Sequence, residues 1–202
     1  MSQPDFDARA ASWDDDPRKR ARAEAVANAI VRRIELGDAP RTLEYGAGTG
    51  LLSFALADRL GETVLADTSD GMLEEARRKI SRFGAQRFSA LKLDLATDPP
   101  PQIKFDLLCS MMVLHHIPDT AAILRAFRAS LVKGGWIAIA DLDAEDGSFH
   151  GLDVDVHHGF DRTELARHAA EAGFEDVTIE TCFEMPRGER KYSVFLMTGR
   201  AG

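Results

Sequence analysis

Between residues 42 and 142 the chain alternates short apolar runs with helix-length amphipathic stretches, and that rhythm restricts it to one kind of architecture. TLEY, TVLA and FSALKL are separated by TGLLSFALADRL and DGMLEEARRKISRF; after Pro99-Pro100-Pro101 come FDLLCS, DTAAILRAFRASL and WIAIADL. Strand and helix in regular order require parallel strands joined by crossovers, so the stretch predicts a doubly wound, Rossmann-like α/β sheet. After residue 142 the rhythm changes. DRTELARHAAEA predicts a helix ending at Gly173, and DVTIETCF and KYSVFLMTG follow with only the turn-rich EMPRGER between them. So short a connector holds no crossover helix. The last two strands are therefore expected as a C-terminal antiparallel hairpin completing a seven-stranded sheet flanked by helices. Upstream, Asp16-Pro17 supplies an N-cap and first helical position for an amphipathic helix to about Glu35, with Ala25, Ala29, Ile30 and Ile34 on one face.

Composition narrows the function classes. The chain has 202 residues, 45% hydrophobic and 29% charged, which fits one soluble domain with one sizeable core and excludes disordered or fibrous classes. A net charge of −8 offers duplex DNA or an anionic membrane no general attraction, so no nucleic-acid partner is expected. Cys109 and Cys182 are too few for a disulfide framework or a Cys-rich zinc site. The N-terminal MSQPDFDARAASWDDD lacks the apolar stretch of a secretion signal, and no window is long and apolar enough for a membrane span. The expectation is a cytoplasmic protein.

The densest local signal is Leu43-Glu44-Tyr45-Gly46-Ala47-Gly48-Thr49-Gly50, at the junction of a strand and a helix. Glycines there permit positive φ and close approach of a ligand, and the following helix start offers unpaired N–H groups. Asp67 ends the next strand, and 67 − 46 = 21 is close to the spacing at which an acid accepts both hydroxyls of a bound ribose. A nucleoside-bearing ligand follows from the pair. The spacing is G-x-G-x-G, with Leu51 where a dinucleotide fingerprint has Gly or Ala, and there is no phosphate-loop G-x-x-x-x-G-K-[ST]. NAD and ATP both fit less well.

With these residues in place the sequence resembles the class I S-adenosylmethionine-dependent methyltransferases, of the small-molecule type, over roughly residues 42 to 142. LEYGAGTG resembles the family's first motif, which implies that Glu44 and the backbone of Gly46, Gly48 and Gly50 face the methionine portion of the cofactor. Asp67-Thr68-Ser69-Asp70-Gly71-Met72 resembles the second, implying Asp67 on the ribose and Met72 against the adenine, with Thr68 beside them. LKLD resembles the third, so Asp94 and the Leu95 backbone would meet the adenine amine. FDLLCSMMVLHHIPD, with Ser110, resembles the fourth strand and its loop, and VKGGWIAIADL the turn into the fifth. The resemblance implies S-adenosylmethionine as cofactor and a small-molecule methyl acceptor. It divides the single domain 1–202 into an N-terminal lid and helix (1–35), a cofactor-binding core (36–142) and an acceptor-side loop, helix and hairpin (143–202). The ligand's chemistry agrees, since its ammonium and diol call for acids and its carboxylate for N–H donors. Asp70 and Asp119 read equally well as helix caps.

The acceptor is less legible. After the fourth strand the chain reads Cys109-Ser110-Met111-Met112, not the Asn/Asp-Pro-Pro-Tyr-type loop associated in this superfamily with planar nitrogens, so a base-methylating DNA enzyme is not expected. Cys109 reads as a buried strand residue. His115 and His116, with His157 and His158, are the candidate general bases, because histidine titrates near neutral pH; pocket-shaping loop histidines are the competing reading. Asp141, Asp143, His150, His157 and His158 have the ligand types for a metal serving a catechol-type acceptor, but at irregular spacing, and no metal is expected. Residues 142–160 are placed to cover the acceptor, and Phe6 and Trp13 to close the pocket as a lid, with a disordered tail as the alternative. The other functions compatible with the fold are a NAD-type oxidoreductase and a methyltransferase-like protein that binds cofactor without turnover.

Overall fold

Two strands that are buried on both faces hold the middle of the molecule: β1 (Thr42–Tyr45) is buried at every residue and β4 (Phe105–Met111) at five of seven, as expected for strands covered on both sides. The computed structural model describes residues 6–150 and 156–202. With β2 (Thr63–Asp67), β3 (Phe88–Lys92), β5 (Leu131–Leu142), β6 (Phe174–Arg187) and β7 (Arg190–Ala201), they form a seven-stranded sheet of order β3-β2-β1-β4-β5-β7-β6. The first five strands are parallel, and β7 runs antiparallel between β5 and β6. The expected doubly wound sheet with its C-terminal hairpin is what the chain forms. Its order reverses at β1, since the chain steps outward through β2 and β3 and returns to β4 on the other side. That topological switch point is where open α/β sheets bind ligands.

Strand alternation divides the core into two clusters. Leu107 and Cys109 of β4, with Ala138 and Ala140 of β5, pack with Val26 and Ile30 of α2 (Pro17–Arg33). Leu108, Ile137 and Ile139 face the other way, toward Ile123, Leu124 and Phe127 of α5 (Thr120–Ser130) and Leu165 of α6 (Arg162–Glu171). The helices begin where side chains satisfy their first N–H groups. Asp16 accepts from the Arg18 N–H at 2.9 Å ahead of Pro17, Ser69 caps α4 (Asp70–Arg82), and Asp119 caps α5 at 2.8 Å.

Three elements differ from the sequence reading. The stretch expected as one helix from Thr49 is a five-residue α3 (Leu51–Ala55) followed by a 3-10 turn (Ala57–Arg59), a tightening that brings both Leu56 and Leu60 into the core. The hairpin strands run into the segment expected as a connector, leaving a two-residue turn at Gly188-Glu189 with Gly188 at φ +63°. Pro186 pairs with Lys191 in this extension, and a proline is tolerated there because β6 is the sheet edge. Residues 6–15 form α1 (Phe6–Arg9) and a 3-10 helix (Ala10–Asp15), not a tail. Among the described residues no helix is long and apolar enough to cross a membrane.

Asp161 caps α6 by accepting from the N–H groups of both Thr163 and Glu164 at 2.9 Å, and it lies off the cavity described below. Asp161→Ala should cost about 1 kcal/mol and lower Tm by roughly 2–4 °C in a calorimetric scan, without altering ligand affinity.

Candidate active site

The turn after β1 meets the loop after β4 so closely that no side chain fits between them. A Cβ on Gly46, whose φ is +67°, would lie 2.3 Å from Val113 Cγ2. Gly48, at φ +53°, is different: a Cβ there would meet nothing closer than Met72 Sδ at 3.7 Å, because its backbone faces an open cavity of about 740 Å³ at the carboxyl ends of the central strands.

Three acids stand along one end of that cavity. Glu44 is buried, and its Oε2 accepts from the Ser53 N–H at 3.0 Å; burial pushes its carboxyl up to about 7. Asp67 accepts from the Gly48 N–H at 2.7 Å and the Ser69 N–H at 2.9 Å, and burial raises its pKa against those bonds. Asp94 accepts from the Tyr45 hydroxyl at 3.3 Å and the Ala96 N–H at 3.0 Å. Thr68 and Met72 complete this wall. Gly50, Leu95 and Ser110 are not on it. Gly50 is the left-handed N-cap of α3, and a Cβ on it would lie 2.8 Å from Leu65; Leu95 is buried in the core, and the Ser110 hydroxyl donates to the Tyr45 carbonyl at 2.9 Å inside the sheet.

Histidines form the other end. Asp141, fully buried on β5, sits 2.7 Å from His115 Nδ1 and accepts from the backbone N–H groups of His115 and Leu142. Burial alone would raise its pKa, but His115 and these bonds hold it below the ordinary carboxylate range. His116 stacks 4.1 Å from the His115 ring and His150 lies 4.8 Å from it; burial lowers both His116 and His150 to about 4. Arg22 of α2 also lines this region; its Nη1 donates to Met185 Sδ at 3.2 Å, and among the described residues its buried Nε has no partner.

The other two histidines named from the sequence are elsewhere, which corrects that assignment. His157 is committed as a loop fastener, its Nε2 3.0 Å from the Ile117 carbonyl and its N–H donating to the His115 carbonyl, and His158 is exposed; neither lines the cavity. The irregular metal set is dispersed as well, because Asp143 is held by Arg162 at 2.6 Å. The loop expected to cover the acceptor lies partly outside the described residues, at 151–155; its described Phe149 and His150 reach the cavity.

The N-terminal segment bridges both ends. Asp7 accepts from the Ser69 hydroxyl at 2.5 Å and the Gly71 N–H at 2.8 Å, and Asp14 accepts from the Thr49 hydroxyl at 2.5 Å and pairs with Lys79 at 2.8 Å. Phe6 packs edge-on to both Trp13 and His116, at 5.9 and 5.7 Å. Sequence reasoning found the two aromatics but passed over Asp7 and Asp14, which sit in an acidic run with no spacing to distinguish them.

A family model for a methyltransferase domain matches residues 43–137, which includes the glycine turn and all three acids. Over 144 residues the chain is 35% identical to a ubiquinone biosynthesis O-methyltransferase of Xanthomonas euvesicatoria, covering 68% of this chain and 58% of that protein. Residues 43–137 are thus matched as a methyltransferase domain, similar to those of the class I S-adenosylmethionine-dependent methyltransferases. The chain is also 36% identical over 131 residues to the biotin biosynthesis bifunctional protein BioCD of Bordetella avium, covering 63% of this chain and 27% of that one. The chain therefore spans between about a quarter and about three fifths of those relatives' lengths. The fold is shared with a methyltransferase chain solved in complex with the Haloferax volcanii Trm112 methyltransferase activator, with TM-score 0.78, 19% identity and coverage of 100% of this chain and 99% of that one. These likenesses set aside the NAD reading.

The residues present fit the family's cofactor. The open backbone at Gly48 is a cradle that a Cβ would begin to fill, and the acids suit an ammonium, a diol and an amino-purine. Because an ammonium favours the ionised form of Glu44, binding should strengthen as pH rises toward and through 7. The dissociation constant for S-adenosylmethionine is expected to weaken about tenfold between pH 7.5 and pH 6, as read by titration calorimetry, and Glu44→Gln should flatten that dependence.

Proposed function

We propose that this methyltransferase carries a methyl group from S-adenosylmethionine to a small-molecule acceptor bound at the histidine end of the cavity. The observation that carries the reading is the continuity of one cavity, about 740 Å³, from Glu44, Asp67 and Asp94 to His115, His116 and His150. Relatives that include a ubiquinone biosynthesis O-methyltransferase favour an oxygen acceptor. When bound, S-adenosylmethionine supplies a methyl group already activated on a sulfonium.

The chain's own work is then to bind, align and keep dry. Glu44 would hold the ammonium, Asp67 the ribose diol and Asp94 the adenine amine, each from the end of a different strand or its following loop. Alignment of two reactants for in-line displacement, with water excluded, supplies a large part of the acceleration in such reactions. Phe6, Trp13 and Phe149 give the cavity apolar walls suited to that exclusion. His116 and His150 are neutral at physiological pH, so their ring nitrogens can accept a hydrogen bond from an acceptor hydroxyl and orient its lone pair toward the methyl group. Residues 1–35 would serve as lid and helix, 36–142 as cofactor core and 143–202 as the acceptor side.

The test is formation of S-adenosylhomocysteine against a panel of phenols, catechols and hydroxy acids. Acceptor-dependent turnover is expected. Asp67→Ala should weaken cofactor affinity by roughly 10–100-fold through lost charged hydrogen bonds, and deletion of residues 1–15 should lower turnover. Unchanged cofactor affinity in Asp67→Ala would contradict the site, and acceptor-independent cofactor breakdown alone would contradict the transfer.

A further inference from the structure

Three of the chain's six histidines converge at one end of the cavity, although they come from two loops separated by more than thirty residues. His115 and His116 lie in the short 3-10 turn (Leu114–His116) after β4, and His150 in the turn after β5. One ligating atom from each can be chosen so that all three lie within 4.8 Å of one another. The rings meet pairwise at centroid distances of 4.1, 4.8 and 5.6 Å.

Two further features separate this group from a stack of pocket-shaping rings. Asp141 grips His115 through Nδ1 at 2.7 Å, which fixes the ring and leaves Nε2 as its ligating atom. A buried carboxylate on the far nitrogen is the arrangement that orients metal-bound histidines and raises their basicity. Among the described residues His150 Nε2 is buried without a hydrogen-bond partner, a cost that no described side chain relieves. Neutral imidazoles suit zinc and the other divalent first-row metals.

We propose that His115, His116 and His150 form a three-histidine site for a divalent transition metal, of the zinc class, at the acceptor end of the cavity. Tetrahedral zinc–nitrogen bonds of about 2.0–2.1 Å place ligand nitrogens roughly 3.4 Å apart, so the loop-borne His116 and His150 close by about an ångström onto the anchored His115. Three protein ligands leave a fourth position open toward the cavity, the pattern of catalytic sites. Its role, which rests on the methyl-transfer reading, is to bind the acceptor hydroxyl in place of the direct hydrogen bonds to His116 and His150. Coordination releases the hydroxyl proton to water; the oxygen then forms a bond to the methyl carbon as the carbon–sulfur bond breaks, and that electron pair stays on sulfur as S-adenosylhomocysteine. This differs from the sequence expectation of no metal, and from the dispersed set that spacing alone suggested.

The test uses the full, tag-free chain stripped with chelator and titrated with Co(II) and Zn(II). One equivalent of Co(II) should bind with the visible bands of a four-coordinate nitrogen site, and Zn(II) should displace it. His116→Ala and His150→Ala should each weaken Zn(II) binding at least a hundredfold, Asp141→Asn ten- to a hundredfold, and the off-site His157→Ala should leave it unchanged. S-adenosylhomocysteine affinity, measured on the same variants, should stay within twofold of the parent, which shows that they are folded. Less than one equivalent bound, or binding indifferent to His116 and His150, would overturn the metal site. If the stripped chain then still bound cofactor and methylated an acceptor, the metal would fall and the methyl-transfer reading would stand.

Discussion

Every element of the site depends on how tightly two loops close over the switch point of the sheet. The order reverses at β1, so the turn after β1 and the loop after β4 leave neighbouring strands and diverge onto opposite faces. They touch at Gly46 and Val113, with no room for a Cβ between them. That contact lets the loop after β4 carry His115 and His116 to the same cavity whose opposite wall carries Glu44 and Asp67. A side chain at Gly46 would push the two ends apart as well as strain a left-handed backbone.

The electrostatics follow from the same compactness. Glu44 and Asp141 are both buried and both acidic, yet they are displaced in opposite directions. Glu44 has a single backbone donor and a raised pKa, while Asp141 has an imidazole and two N–H groups that outweigh its burial. Glu44 is thus poised for a cationic ligand to complete it, whereas Asp141 is already complete and acts by holding His115. Asp67 lies between these cases. It ties the Gly48 backbone to the start of α4, so the acid proposed for the ribose also shapes the glycine turn.

Much of this was legible in the residues. The alternation of strand and helix gave the sheet, its crossovers and its terminal hairpin, because period and connector length are local properties that topology rules convert into architecture. Asp16-Pro17 marked the start of α2, while its end came at Arg33, two residues early, where Ile34 turns extended and buries. The three candidate acids were visible because Asp67 closes its strand at a recognisable spacing from the glycine turn, while Glu44 and Asp94 fall in stretches that resemble the family's first and third motifs. The histidines were harder. His157 and His158 have the right chemistry, but loop backbone carbonyls claim one and solvent the other, and only the fold decides that. Meanwhile His150 joins His115 and His116 across a gap in sequence that no periodicity connects. Asp7 and Asp14 were hidden for a related reason: an acid in an acidic segment looks solvated until the serine, threonine and lysine that pair with it are seen to lie beside it.

The central claim is that the glycine turn and three strand-end acids form an S-adenosylmethionine site. The most direct measurement is thermal unfolding of the intact chain with S-adenosylhomocysteine or with NADH, each at about a hundred times its dissociation constant for a typical site, where one-site linkage gives about 2.7 kcal/mol. The account expects S-adenosylhomocysteine to raise Tm by roughly 5–10 °C and NADH to leave it unchanged. A shift with NADH alone, or none with S-adenosylhomocysteine, would contradict it.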